Sequence, residues 1–448
     1  MNTRFLRFFS VLILVAMVGC SNLPISFGRG SQAPQGGSGG TVSPATSLPF
    51  EIGQSQTPIA PQGTAVPTLP AGARLVRIWL PPEFDPQGNS PASRLLKARL
   101  EQFASENPDV RLEVRVKALE GEGGLLDSLV TSNVAAPLAL PDMVLLPRPL
   151  LESATLKGLL YPYDGLTNIM DSVSWFEYAK QMAHVQSSTY GLPFAGDALL
   201  LAYHPSLGQS PPSDLETSIS LGEVLLFPAT NPQSSFTLGT YLAEGGSVQD
   251  AQGRPALDKA TLTRILEMDQ RASQAGVMPY WLTQYSTDQQ VWDAFMSNEY
   301  PMAVTWASTY LNNKQAATDD LSAAIIPTPN GTPFTLASGY SWALAGQDPE
   351  RRTLAVRLAE YLADKDFQAQ WTAAAGYLPP RVDALQSWQD HQMSQVLEQI
   401  STSAQLMPPL DLVSSLGPAL EQAVVDVLKA QNDPQTAAQA AINQINKP

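Results

Sequence analysis

The sequence predicts an α/β fold, on three observations. Apolar strands and amphipathic helices alternate from Leu75 to Leu146. One of those strands, Val110 to Lys117, interleaves valine and leucine with charged residues, as a half-buried strand does. A second long extended stretch, Leu192 to His204, exceeds what one small sheet needs. Strand-helix-strand-helix-strand order implies parallel pairing with right-handed crossovers.

The elements follow in order. Leu75 to Leu80 is an apolar strand, and Leu96, Leu100 and Phe103 then recur at helical spacing until Asn107-Pro108 stops the helix. After the strand at Val110, a Gly-rich turn leads into a helix around Leu125 to Asn133, and Asp142 to Leu146 forms a third strand. Helices are predicted at Asp258 to Ala275 and Asp288 to Glu299, with a strand at Pro301 to Trp306. The extended segment Phe334 to Leu344 precedes one long helix, Pro349 to Ala374, closed by Gly376. Helices at Pro418 to Ala430 and Pro434 to Ile445 end the chain, and no internal repeat is visible.

With 448 residues the chain has material for two or three domains, and 44% hydrophobic content supplies real cores. A net charge of -15 repels phosphate backbones, which argues against nucleic-acid binding. Cys20 is the lone cysteine and His184, His204 and His391 are far apart, so no internal disulfide, metal site or cofactor is expected.

Arg4 and Arg7 precede the apolar run Phe8 to Val18 and then Gly19-Cys20-Ser21, the pattern of a secretory signal over residues 1–19. The run is shorter than the ~20 residues of a transmembrane helix. Met17-Val18-Gly19-Cys20 resembles a bacterial lipobox, and the resemblance implies cleavage before Cys20 and its acylation. Residues 20–73 are rich in Gly, Ser, Pro, Thr and Gln and read as a disordered tether. Such a coil spans ~40 Å on average, enough to hold a globular head off a membrane.

From residue 74 onward the landmarks resemble the family 1 extracellular solute-binding proteins of ABC importers. They are Arg77-Ile78-Trp79, then Phe103 with Asn107-Pro108-Asp109, and Pro141-Asp142-Met143-Val144. Tyr190-Gly191-Leu192-Pro193-Phe194 with Asp197, Tyr203 and Leu207 comes next, then Phe295, Met302-Ala303 and Trp306. Gly339-Tyr340-Ser341-Trp342 and Gly376-Tyr377-Leu378-Pro379-Pro380-Arg381 complete the series. Departures are His204-Pro205 in place of Asn-Lys, the absence of Thr-Trp from Ser210 to Glu216, and a shortened stretch up to Thr240.

The resemblance implies two α/β lobes, 74–196 plus 337–406 and 197–336 plus 407–448, joined by crossing segments over a ligand cleft. The crossings fall near Phe194 to Ala198, Leu336 to Gly339 and Met407 to Pro409. It implies a lipid-anchored, extracytoplasmic monomer that delivers a small polar solute, a sugar above all, to an ABC permease, with no catalysis. Sugars need aromatic planes for their faces and amides or carboxylates for their hydroxyls. Positions at strand ends and crossings nominate Trp79, Glu83, Asp197, Trp306, Tyr340, Trp342, Tyr377 and Arg381.

Each nominee has a plainer reading. Trp79 caps the first lobe's core or lines the cleft; of Tyr340 and Trp342, one is expected in the cleft and the other in the core. Arg381 suits a surface ion pair equally well. Asp142 reads as structural, and Trp371 and Trp388 as packing residues. Gly121 to Gly124 opens a helix, but Glu122 beside it repels an anion. Asp319-Asp320 reads as a solvated loop rather than a glycosidase pair. The competing functions are capture of a polyamine or glycerol phosphate, a cell-surface glycosidase, and a sensor that reports to a membrane kinase.

Overall fold

The computed structural model describes residues 73–207, 210–314 and 320–447. The signal, Cys20, nearly all of the tether and Asp319 lie outside them. The described residues belong to one compact unit.

Strand β1 (Arg74–Leu80) leads through a turn of 3-10 helix, Pro82–Phe84, into helix α1 (Pro91–Glu106). Ser90 caps α1 by accepting from the Ser93 N–H, with Pro91 in the first turn where its missing donor costs nothing. Then come β2 (Val110–Val116), α2 (Leu125–Ala135), β3 (Met143–Pro147), α3 (Arg148–Leu156) and α4 (Glu177–Ala183). A small hairpin of β4 (His184–Val185) and β5 (Ser188–Thr189) precedes the long strand β6 (Gly191–Tyr203). The middle of the chain holds α5 (Leu215–Leu221), β7 (Leu225–Leu226), α6 (Ser235–Ala243), α7 (Lys259–Gln274) and α8 (Asp288–Phe295). It continues with β8 (Met302–Trp306), α9 (Ala307–Lys314), β9 (Ser322–Ala324) and β10 (Thr335–Leu344). The last part has α10 (Pro349–Leu362), α11 (Lys365–Ala375), α12 (Val382–Gln386), α13 (His391–Ser403), β11 (Ala404–Leu406), α14 (Leu410–Leu428) and α15 (Pro434–Ile445).

Two expectations need correction. The helix predicted over 349–374 is two helices, because the Asp364 carboxylate accepts from the Phe367 N–H and starts α11 afresh. The helix predicted from Pro418 begins at Leu410 and carries Pro418 inside it. Periodicity cannot see a cap that interrupts an apolar stripe, and it overrates proline as a boundary. Aspartates also cap α5, α7, α10, α13 and α15, so part of the acidic charge of this chain holds helix starts.

The sheet runs β2-β1-β3-β10-β6-β8-β7. β1 pairs parallel with β2 and β3, as the alternation predicted, whereas β10 runs antiparallel to β3 and β6. The length of β6 now has its reason. From Gly191 to Ala198 it pairs with β10, and from Leu199 to Tyr203 it pairs with β8, with β9 on its other edge. One strand therefore serves two sheet halves. Where β6 and β10 cross, Gly196 faces Gly339. A Cβ on Gly196 would lie 2.1 Å from the Tyr178 hydroxyl of α4, and one on Gly339 2.2 Å from the Ala195 carbonyl oxygen. Only glycine allows that approach.

Candidate functional site

On one face of the crossing strands, carboxylates and rings converge. Cross-strand partners share a face, and residues two apart on a strand return to it. Asp197 opposite Ser338 and Tyr340 opposite Ala195 therefore project to the same side, away from α4. Phe84, at the turn after β1, packs against Tyr340 with ring centroids 4.7 Å apart and lies nearly parallel to Tyr377 at 5.6 Å. Tyr340 and Tyr377 meet edge to face at 6.0 Å, and Trp371 lies parallel beneath Tyr377. The Tyr340 hydroxyl donates to Glu83 Oε1 at 2.8 Å, which fixes an exposed carboxylate over a half-buried ring.

Tyr377 reaches this cluster because α11 ends at Gly376, whose left-handed backbone (φ 70°) turns the chain sharply. A Cβ at Gly376 would strike the Asn312 side chain of α9 at 2.5 Å, so α9 presses on this turn. Asp197 anchors the start of α9. Its carboxylate accepts from the Ser308 N–H at 3.0 Å and the Ser308 hydroxyl at 2.5 Å, satisfying a donor that the helix cannot. Burial pushes the Asp197 carboxyl up to about 6, against the hydrogen bonds from Ser308 and Ala198 that favour its ionised form. Asp288, at the start of α8, is likewise raised by burial, while a hydrogen bond from the Trp306 side chain opposes the shift.

Burial raises the Tyr340 and Tyr377 hydroxyls most, and the charges of Glu83 and Asp197 add to it. Those two carboxylates thus sit close enough to act on both rings. The resulting patch offers hydrogen-bond acceptors at Glu83, Asp197 and Asp288, rings at Tyr340, Tyr377 and Trp306, and negative charge.

The structure brings Glu83, Asp197, Trp306, Tyr340 and Tyr377 together and removes three nominees. Trp79 pairs with Val144, which pairs with Ala343, so it points to the opposite face from Tyr340. There it is buried in a separate core, with the Lys117 ammonium 4.5 Å over its ring. Trp342 shares the face of Tyr340 but is fully buried against Phe194, which packs in turn on Trp371. Tyr340 thus lies at the patch and Trp342 in the core, a division made by depth rather than by face, since residues two apart on a strand point the same way. Arg381 is held by Asp383 through two bonds of 2.9 and 2.8 Å and lies over Trp175, which leaves it structural. Asp142, fully buried, accepts from the Arg77 N–H behind the sheet.

Sequence reading missed Phe84, Asp288, Ser308 and Asn312. The capping box of Thr287 and Gln290 before α8 was the legible signal for Asp288. Nothing in the sequence marks Ser308. Among the described residues no cluster of His, Cys, Asp and Glu is arranged to hold a metal, and no helix is long and apolar enough to cross a membrane.

Asp197→Ala is expected to loosen the start of α9 and to cost about 1 kcal/mol, as the loss of an N-terminal cap does. Asp197→Asn keeps an acceptor. Because the folded carboxyl lies near 6 against an ordinary value of 3.8, ionisation opposes folding and stability falls as pH rises from about 4 through 6. Melting curves at pH 3.5 and 8 check this: the asparagine variant should gain relative to wild type at pH 8 and not at pH 3.5.

Residues 98–395 match the family described as bacterial extracellular solute-binding protein. The sugar-binding protein MalE from Xanthomonas citri superposes with a TM-score of 0.69 at 18% identity, over 83% of this chain and 96% of that one. The cyclic alpha-maltosyl-1,6-maltose binding protein from Arthrobacter globiformis gives 0.70 at 15% identity, over 84% and 98%. A solute-binding protein from Thermotoga lettingae, bound with alpha-D-tagatose, gives 0.62 at 19% identity, over 84% and 99%. At such identities the likeness is one of fold, the two-lobed α/β architecture. No curated protein sequence matches the chain.

Proposed function

The chain belongs to the bacterial extracellular solute-binding proteins, and from that premise we propose that it captures a mono- or oligosaccharide outside the cell for an ABC importer. The lobes of this reading are 74–196 plus 337–406 and 197–336 plus 407–448, closing over the patch at the crossing strands. A ligand touching both lobes is held only when they shut, which separates loaded from empty protein. Acylated Cys20 moors the head to the bilayer in this reading, and a permease is its second partner.

One observation carries the sugar: at the crossing, three acceptor side chains surround aromatic rings, and the charges acting on Asp197, Tyr340 and Tyr377 are all negative. Sugar hydroxyls donate to carboxylates and sugar faces lie on rings. A phosphate would meet repulsion, which disfavours glycerol phosphate. The sugars bound by the Xanthomonas, Arthrobacter and Thermotoga neighbours agree with this choice. The same three carboxylates favour a polyamine as the second reading, because they would pair with its ammonium groups.

A thermal-shift panel of maltose, glucose, tagatose, spermidine and glycerol 3-phosphate decides. A ligand at 100 times its Kd stabilises the native state by about 2.7 kcal/mol. A sugar should raise the melting temperature, and its affinity should fall about tenfold or more in Tyr377→Ala and in Trp306→Ala. A response to spermidine alone selects the second reading. Turnover of an oligosaccharide would overturn both.

A further inference from the structure

The patch carries negative charge that the protein does not balance. Among the described residues no ion pair includes Glu83, Asp197 or Asp288. The turn Pro82–Phe84, β6, α8, β8 and β10, which present the patch, contain no lysine or arginine. On the two other parts that border it, Lys314 of α9 is engaged with the Leu321 carbonyl and Arg381, after α11, with Asp383. The basic residues outside the described ones are Arg4, Arg7 and Arg29, all ahead of β1. We infer that the countercharge arrives with the solute: the ligand is an amino sugar, and the Glu83 carboxylate selects its ammonium group. The inference rests on the reading of the patch as a sugar site.

Three arguments carry it. The first is the cost of closing over unbalanced charge. A neutral sugar gives carboxylates its hydroxyls but brings no positive charge. A carboxylate taken out of water without a cation loses hydration and gains no Coulomb attraction in return. Asp197 and Asp288 are both partly buried, so every neutral solute bears that penalty here. An ammonium offsets it through charge-assisted hydrogen bonds, roughly twice as strong as neutral ones.

The second is which carboxylate is free. Asp197 already accepts from the Ala198 N–H and from both donors of Ser308. Asp288 accepts from the Trp306 side chain. Glu83 accepts one hydrogen bond, on Oε1 from the Tyr340 hydroxyl at 2.8 Å, and its other oxygen has no partner among the described residues. Glu83 is also exposed, so a cation can reach it.

The third is the rings. Phe84, next in sequence to Glu83, packs on Tyr340 and Tyr377, and those two meet edge to face. An ammonium is drawn to the face of a tyrosine ring, the more so where water is excluded. Glu83 therefore lies where carboxylate and ring faces can hold one cation together. Asp197 and Asp288 keep their acceptors for the hydroxyls of the same sugar.

The test pairs sugars that differ in charge: glucosamine with glucose, galactosamine with galactose, and the β-1,4-linked glucosamine disaccharide with cellobiose. Calorimetry at pH 6.5 measures their binding to the full chain, wild type and Glu83→Gln, in low salt and in 1 M salt. Melting curves confirm that the variant folds. In at least one pair the amine should bind the wild type about tenfold more tightly than its neutral partner. That preference should shrink in 1 M salt, where charges are screened beyond ~3 Å. Glu83→Gln keeps an acceptor for Tyr340 and should bring the two members of the pair within threefold. A neutral sugar that binds as tightly as its amine overturns the inference and leaves the sugar reading standing. So does an amine preference that survives Glu83→Gln or ignores salt, and so does binding of maltose or tagatose with none of the amines. Binding of spermidine without any sugar, or of nothing in either panel, overturns both.

Discussion

Arg148→Met is expected to destabilise the fold by about 3–5 kcal/mol, the usual cost of removing one partner from a buried ion pair. Arg148 and Glu152 are both more than nine-tenths buried, with Nε and Nη2 on Glu152 Oε1 at 2.8 and 2.7 Å. The remaining Nη1 donates to the carbonyls of Gln181, Met182 and His184 at 2.9, 2.8 and 2.6 Å. Those carbonyls lie at and just beyond the end of α4, where helical donors run out. One guanidinium thus neutralises a buried carboxylate and closes a helix that lies under the Gly196–Gly339 crossing. The variant strands both. Urea unfolding of Arg148→Met, Glu152→Leu and the double variant checks the account. The double variant should recover much of the loss, since no unpaired charge is then buried. Equal losses in the single and double variants would show that the carbonyl contacts, not the ion pair, dominate.

Asp269→Asn is expected to stabilise the protein at pH 8 by on the order of 4 kcal/mol and to leave it nearly unchanged at pH 3.5. Asp269 is 5% exposed on the buried face of α7, without a hydrogen-bonding or ionic partner among the described residues. Burial pushes its carboxyl from 3.8 up to about 7. With the folded value above the unfolded one, the protonated form favours folding. Its contribution is present below pH about 4 and is lost as pH rises through 7. The capping aspartates Asp214 and Asp258 act oppositely, since backbone N–H groups hold their carboxyls below the usual range. Their stability is lost as pH falls below about 4. Wild-type melting temperature should therefore decline between pH 5 and 8, and the variant should flatten that decline. Parallel profiles for the two proteins would show that Asp269 is ionised in the folded state without cost.

Much of the architecture was legible because it rests on local pattern. The alternation at Val110 to Val116, the caps at Asp258 and Asp433, and Gly376 after its helix each state their conformation within a few residues. The long extended run at Leu192 announced a strand with two sets of partners. Half of the patch was legible too, since strand ends and crossings pointed to Glu83, Asp197, Trp306, Tyr340 and Tyr377. What failed depended on contacts distant in sequence. Trp79 and Trp342 differ from Tyr340 only in depth and face, which the pairing of four strands decides. Arg381 had a carboxylate two residues away, and that short reach won over the patch. Phe84, Ser308 and Asn312 carry no sequence signal, because their roles come from the approach of α9 to the turn after α11.

The sharing of β6 between two sheet halves has a further consequence for how this molecule can be made or dissected. The half that contains β10 draws strands from distant parts of the polypeptide, so a fragment cut near residue 198 would carry an unpaired strand edge rather than a finished domain. Formation of the native state must join segments more than a hundred residues apart, Ala198 with Ala337 and Leu199 with Trp306, before either core is complete. Such distant pairing slows refolding, and it makes truncation from either terminus a route to aggregation rather than to a smaller binding module.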